Sequence, residues 1–139
     1  MLWASATCLA LAAVMPVAVM VDHPVTATVA VPESVQHAEA ALLRLEGVIM
    51  RRNVPVRWNI FWEFPKADSQ TSVENVHFAG YISSPANSAL RDPKPANFIL
   101  PMPPAAIAVL HRQTTMQFTF VPVGKLPEGG VTITSIRLE

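Results

Sequence analysis

The chain has 139 residues, of which 51% are hydrophobic and 14% charged, and its ten basic side chains balance ten acidic ones. This composition excludes a disordered acidic or basic chain, and the even charge balance argues against a nucleic-acid partner, because no basic surface is left for a phosphate backbone. The length suits one domain with its own core, while 13 prolines against 5 glycines favour many short elements, as in all-β proteins.

The first 21 residues contain no Asp, Glu, Lys or Arg, and Asp22 is the first charged residue. Three interpretations stay open for this apolar leader, residues 1–22. It is a signal peptide, although its start lacks basic residues, or a membrane anchor, although Pro16 interrupts it, or the truncated edge of a longer chain. A cleaved leader predicts a secreted or periplasmic protein. An uncleaved one predicts membrane contact through residues 1–21 only.

Beyond the leader, apolar and polar residues repeatedly alternate, which is the period of a strand with one buried face. The first such run is residues 25–31, which Pro32 ends, and we expect it at a sheet edge. The second lies within residues 40–50, with Gly47 as a bulge. A helix over residues 34–45 competes with this strand, because Ser34 could cap it. We favour a turn followed by a strand.

The clearest strand is residues 56–64, VRWNIFWEF. One face carries Val56, Trp58, Ile60, Trp62 and Phe64, and the other carries Arg57, Asn59, Phe61 and Glu63. The aromatic face could be a stacking platform for sugars or bases, but core packing is the favoured interpretation. A polar connection leads to the next strand, residues 76–83, where we expect Val76, Phe78 and Ile82 on the core face, with Gly80 interrupting it.

The last third alternates loops with short apolar segments. Residues 85–96 hold three prolines and predict an exposed loop, followed by a strand over residues 97–102 and a helical turn through residues 103–112. Strands 115–123 and 131–138 are expected to pair through the turn between Gly124 and Gly130. About seven strands and one short helix in residues 23–139 predict an all-β fold, an antiparallel β-sandwich.

No pattern of side chains predicts a catalytic, cofactor or metal site. The histidines lack zinc-site spacing, and Cys8, the single cysteine, lies in the leader, too far from the sandwich for a blue-copper site. No G-x-S-x-G nucleophile elbow occurs. The carboxylates beside the predicted connections are expected to be solvated. The residues considered and set aside are His23, His37, His77, His111, Glu63, Asp68, Glu74 and Asp92.

Three sequence blocks carry a family resemblance when taken in order. The first is VRWNIFW at residues 56–62, with the lead-in LEGV at residues 45–48; the second is VHFAGY at residues 76–81; the third is FTFVP at residues 118–122, closed by residues 131–139. The first resembles V-K-F-D-V-Y-V, the second E-F-A-G-[ST]-[FY], and the third V-T-L-V-P followed by V-T-I. These are motifs of the C-terminal domain of plant-type polyphenol oxidases, the catechol oxidase and tyrosinase family.

The resemblance implies a function without catalysis. Oxidases of this family hold two coppers with six histidines in a helical domain that this chain lacks, and their C-terminal module covers the copper entrance. We therefore expect a non-enzymatic shield or regulatory module whose partner is a type-3 copper oxidase, encoded separately or lost. No motif marks the residue that plugs the entrance. Tyr81 and Phe98 are the candidates, although core packing is favoured for Phe98.

Two other functions stay open. One is a secreted or membrane-anchored β-sandwich for adhesion or ligand binding that uses the proline-rich stretch from Pro85 to Pro104. The other is an enzyme whose catalytic residues are scattered along the chain, for which loss of turnover on mutation of Glu63 or His77 would be the evidence. An exposed apolar patch on a sheet would favour protein binding, whereas a groove lined with aromatic rings would favour a small ligand.

Overall fold

The structure is a computed structural model that describes residues 17–20, 23–50, 57–83, 95–124 and 131–139. The strands are β1 Val17–Met20, β2 Val25–Ala30, β3 Leu42–Met50, β4 Arg57–Trp62, β5 Phe78–Ser83, β6 Ala96–Pro101, β7 Thr115–Val123, β8 Val131–Ile133 and β9 Ser135–Leu138. The helices are α1 Glu33–Gln36, a single turn, and α2 Pro104–Leu110, which begins with Pro at its first position as the fixed φ of proline favours.

The strands form two antiparallel sheets. One sheet has four strands in the order β2-β7-β4-β5, and the other has five, in the order β1-β8-β3-β6 with β9 also paired to β3. The predicted all-β sandwich is confirmed, and β2 lies at a sheet edge as expected. The strand alternative for residues 40–50 is confirmed too, and the pairing of β3 with β6 shifts register between Leu45 and Val48, where Gly47 makes the predicted bulge.

The main core lies between the two sheets and is built from their inward faces. Trp58, Ile60 and Trp62 of β4 are buried in it, so the prediction of core packing over a stacking platform is confirmed for the two tryptophans. The other large contributors include Leu43, Leu45, Ile82, Leu110, Met116, Phe118, Phe120, Ile133, Ile136 and Leu138. Burying side chains of this size from both sheets is the principal stabilising contribution in such a sandwich.

The outer face of β4 is not the polar face that the alternation predicts. Phe61 is fully buried there and forms a satellite cluster with Ala67 and Val121, against which Phe64 and Phe78 pack. The connection between β4 and β5, residues 63–77, supplies Phe64 and Ala67. Phe61 thus lies on the face opposite the tryptophans, as the alternation predicts, but the chain itself covers this outward position. The prediction that Phe64 shares the core face of the tryptophans is wrong, because β4 ends at Trp62 and the chain turns at Glu63, whose φ is 47°.

The predicted facing of residues 76–83 is also wrong at two residues. Val76 precedes β5 and is 64% exposed. Ile82 lies in the main core, but Phe78 packs in the satellite cluster on the opposite side of the sheet. The pairing of β4 with β5 shifts register between Ile60 and Phe61, and Gly80 has φ of 137°. A bulge inserts one residue and reverses the facing of everything beyond it, which is why Phe78 and Ile82 do not share a face.

The predicted hairpin between strands 115–123 and 131–138 does not form. Strand β7 pairs with β2 and β4 in the four-stranded sheet, while residues 131–138 break at Thr134 into β8 and β9, which pair with β3 in the other sheet. Strand β7 and residues 131–138 therefore lie in different sheets, and they pack their apolar side chains against each other across the core instead of pairing as neighbouring strands. A connection of several residues is long enough to cross the roughly 10 Å between packed sheets.

The leader is described only at its end, where β1 pairs with β8 through Val17↔Ile133 and Met20↔Val131. The rest of it, including Cys8, lies outside the described residues, so its role stays a prediction. The same holds for residues 84–94, which contain most of the predicted proline-rich loop. Residues 95–104 are described, and they form β6 and the start of α2.

Candidate contact surface

The outer face of the five-stranded sheet carries charges that neutralise one another. Arg44 pairs with Glu139 at 2.5 Å between Nε and Oε1, and Arg137 pairs with Glu46 at 2.8 Å and with Glu139 at 3.6 Å. These side chains are partly exposed, and such pairs stabilise a fold by less than about 1 kcal/mol each. This face has the character of a solvated surface.

The outer face of the four-stranded sheet divides into a covered half and an open half. In the covered half, the rings of Phe61 and Phe78 are 5.6 Å apart in an edge-to-face arrangement, and the ring of His77 stacks on Phe64 at 5.3 Å. His77 Nδ1 lies 2.9 Å from the carbonyl oxygen of Trp62. His77 therefore helps to hold the connection onto the sheet, which is a structural role.

The open half is formed by Arg57, Tyr81 and Val123, which lie over the buried Asn59. We call these four residues the Arg57 patch. The Arg57 guanidinium lies 3.9 Å from the centroid of the Tyr81 ring, and its Nε donates to Asn59 Oδ1 at 2.9 Å. Tyr81 is 49% exposed and Val123 40% exposed. Arg and aromatic side chains are enriched among the residues that contribute most to binding at protein interfaces. A cation held over an aromatic ring beside an apolar side chain therefore has the composition of an interface hot spot.

Arg57 differs from Arg44 and Arg137 in its partners. The ion pairs found among the described residues join Arg44 and Arg137 to carboxylates, and none of them involves Arg57. The positive charge of Arg57 is thus positioned by Tyr81 and Asn59 without being neutralised by a described acidic group. A fixed cation that no acidic group of the described residues neutralises suits a partner that presents a carboxylate.

A polar cleft lies at the other end of this sheet face. It is lined by Thr28, Glu63, Arg112, Gln113, Thr114, Thr115 and Gln117, with no aromatic ring among these residues. Glu63 has a φ of 47°, in the left-handed region that non-glycine residues rarely adopt. Its N–H donates to the Gln117 carbonyl at 2.8 Å, and its Oε2 accepts from the Gln117 N–H at 3.0 Å. Glu63 thereby ends β4.

The other polar residues considered from the sequence have local structural roles where they are described. Asp68 Oδ1 accepts from the N–H of Gln70 at 2.8 Å within its turn, and His111 Nε2 lies 2.6 Å from the carbonyl oxygen of Ala38. Glu74, His23 and His37 are exposed, while Asp92 lies outside the described residues. The described part of the chain contains no group of three or more His, Cys, Asp or Glu side chains that could hold a metal ion, so its residues do not fit a two-copper centre.

The two candidates for a plugging residue occupy different environments. Tyr81 is exposed in the Arg57 patch, whereas Phe98 is half-buried and packs against the main core, as the sequence favoured. Sequence reasoning did not single out Arg57 or Val123. The alternation in β4 does place Arg57 outward, but its proximity to Tyr81 and Val123 depends on the pairing of β4 with both β5 and β7, which no local pattern encodes.

These features define a β-sandwich module with one charge-paired outer face and one open, partly aromatic outer face. Neither a protein-family model nor a curated protein matches the chain. Solved structures do match. A latent aurone synthase (polyphenol oxidase) from natural source superposes with a TM-score of 0.66 at 14% identity, covering 90% of this chain and 25% of that one. The latent apple tyrosinase superposes with a TM-score of 0.60 at 21% identity, covering 90% and 27%.

At these identities the similarity shows a shared fold. The chain spans about a quarter of the length of the polyphenol oxidases it matches, and the matched region is their C-terminal, non-catalytic part. The resemblance inferred from the three sequence blocks is thereby confirmed at the level of the fold. Within the described residues, no helix is long and apolar enough to cross a membrane.

Proposed function

We propose that this chain is a non-catalytic shield module that covers the active-site entrance of a type-3 copper oxidase. The observation that supports this proposal is the fold match, because the solved polyphenol oxidases that contain this fold are described as latent enzymes. A latent enzyme is one whose activity is withheld, and a separate module seated on the entrance would withhold it. The chain then needs no catalytic centre of its own.

The surface of the four-stranded sheet supports a protein partner over a small ligand. Tyr81 and Val123 expose apolar surface around the fixed cation of Arg57, and aromatic residues and Arg are enriched at protein interfaces. The polar cleft at Glu63 has no aromatic wall, and a carboxylate oxygen of Glu63 already accepts a backbone hydrogen bond. We place the docking surface at the Arg57 patch, opposite carboxylates beside the oxidase entrance.

The test adds the purified chain to an active tyrosinase that lacks its own C-terminal domain and follows catechol oxidation by absorbance. We expect the rate to fall as the chain concentration rises into the micromolar range, and to recover when a protease digests the chain. The same amount of digested chain is the control for non-specific effects. An unchanged rate at about 100 μM chain, well above the dissociation constant of an ordinary specific complex, would contradict the proposal.

A further inference from the structure

In the part of the chain that the structure describes, strand β2 lies at one end of the four-stranded sheet with its outer edge unpaired. It pairs with β7 from Val25↔Phe120 to Ala30↔Thr115, and no other described strand pairs with it. The Val31 N–H donates to the Thr114 carbonyl at 2.8 Å. Val31 and Thr114 therefore form a hydrogen-bonded pair. Hydrogen-bonded and non-hydrogen-bonded pairs alternate in an antiparallel ladder, so every second residue back from Val31 bonds to β7, and the backbone groups of the residues between them point away from β7. These residues are Thr26, Thr28 and Ala30.

This edge lacks the features that usually prevent edge strands from pairing with other chains. Protected edges carry a charged side chain, an internal proline or a bulge. No charged residue occurs between Pro24 and Pro32, and the register of β2 with β7 runs without a shift. The side chains of Thr26 and Thr28 are exposed. A straight, neutral strand of high β-propensity is thus open to pairing along residues 25–30.

The sequence of this edge matches its own reverse. Residues 25–29 read V-T-A-T-V in both directions, so an antiparallel second copy aligned on Ala27 places Thr26 opposite Thr28 of that copy. The residues that face each other in this register are the ones whose backbone groups point outward, so they form about four backbone hydrogen bonds between the copies. Thr–Thr pairs across strands are favourable. Thr119 of β7 extends this line of threonine side chains away from the edge, since Thr26 Oγ1 lies 2.9 Å from Thr119 Oγ1.

We propose that β2 is a self-association edge, through which two copies of this chain pair antiparallel about a twofold axis at Ala27. The pairing joins the two four-stranded sheets into one continuous sheet. Each chain contributes the same strand, so the contact is isologous and uses up both β2 edges. The product is a closed dimer and not a fibre. Pro24 and Pro32 limit the contact to the strand itself, because proline lacks the N–H that a longer ladder needs.

Charge variants of the full chain test this pairing. In T26K/T28K, each new Lys faces another Lys across the axis, and in T26E/T28E each Glu faces a Glu. Sedimentation from about 5 μM to about 500 μM should show a concentration-dependent dimer for the unaltered chain. Either variant alone should need at least about tenfold higher concentration to dimerise. An equimolar mixture of the two should dimerise again, since Lys then faces Glu.

Recovery in the mixture separates loss of pairing from loss of folding, because misfolded variants would not recover. The matched control is S83K/T115K, which adds the same charge at exposed positions of the same sheet outside β2, and it should dimerise like the unaltered chain. A chain that stays monomeric up to about 500 μM, or Lys and Glu variants that dimerise as well as the unaltered chain, would overturn the inference. It does not rest on the proposed function, and it stands if the oxidase test fails.

Discussion

At the scale of single residues, Gly47 has a backbone conformation and a lack of side chain that allow β3 to pack closely against the residue between β8 and β9. Its φ is 64°, and a Cβ built on it would lie 2.3 Å from Thr134 Oγ1 and 2.7 Å from Thr134 Cβ. Thr134 is the residue that separates β8 from β9, and its N–H donates to the Glu46 carbonyl at 3.0 Å. The bulge in β3 and the break between β8 and β9 therefore lie against each other, and only a residue without a side chain lets the Thr134 side chain lie this close to the β3 backbone.

We predict that Gly47→Ala destabilises the fold by about 2–4 kcal/mol, the sum of left-handed strain and overpacking against Thr134. Gly124→Ala is the matched control. Gly124 also has a positive φ, 85°, but no atom of the described residues lies within 4 Å of a Cβ built on it, so only the strain of about 1 kcal/mol should appear. Urea unfolding of both variants measures the difference. Equal losses would show that Thr134 does not crowd Gly47.

At the scale of elements, the connection of residues 63–77 acts as a small second layer on the four-stranded sheet. It covers Phe61 with Phe64 and Ala67, and the stacked His77 ring and its bond to the Trp62 carbonyl hold its far end. A face that would otherwise be wet thus becomes a satellite core. This layer stops short of Arg57, which leaves the patch open.

Phe61→Ala should accordingly destabilise the protein by about 3–5 kcal/mol, as for a phenylalanine in a main core, since the ring is fully buried and its loss leaves a cavity. Val73→Ala is the control in the same connection, because Val73 is exposed and should change stability by less than about 0.5 kcal/mol. Thermal and urea unfolding check both. A loss at Phe61 as small as that at Val73 would mean that residues 63–77 do not pack on the sheet.

Local patterns predicted most elements but not how they face one another. The period-two alternation identified the strands over residues 25–30, 42–50, 57–62 and 115–123 because each buries one continuous face, and Gly47 marked the bulge. Alternation shows which residues share a face, however, and not whether the chain returns to cover it, so it does not predict the burial of Phe61. The partner of residues 131–138 is set by packing across the core, and the neighbour in sequence, β7, was the wrong partner.

The candidate surface was less predictable than the fold for the same reason. Tyr81 stood out in the sequence as an aromatic residue, but Arg57 acquires its meaning only from its position over that ring. This position depends on the long-range register that places Asn59 opposite Tyr81 and Arg57 opposite Val123. A register between distant strands is decided by the summed packing of both sheets, which no single segment contains.

At the scale of the whole molecule, we expect charge reversal to weaken inhibition of the oxidase on one outer face and to leave it nearly unchanged on the other. Arg57→Glu removes the cation from the Tyr81 ring and repels the carboxylates that we expect on the oxidase, so it should weaken inhibition by about tenfold or more, as for an interface hot spot. Arg137→Glu makes the same charge change on the five-stranded sheet, where Arg137 pairs with Glu46 and Glu139. It should lower stability by less than about 1 kcal/mol and leave inhibition within about twofold.

Inhibition curves against the same tyrosinase compare the two variants, and thermal unfolding confirms that both are folded at the assay temperature. Because the two substitutions are identical in charge and differ in face, a selective loss in Arg57→Glu assigns docking to the four-stranded sheet. The reverse result, with inhibition lost only in Arg137→Glu, would contradict the Arg57 patch while keeping the shield. Rising salt should reduce inhibition by the unaltered chain more than by Arg57→Glu, since the attraction between Arg57 and a partner carboxylate is screened over a Debye length of about 8–10 Å.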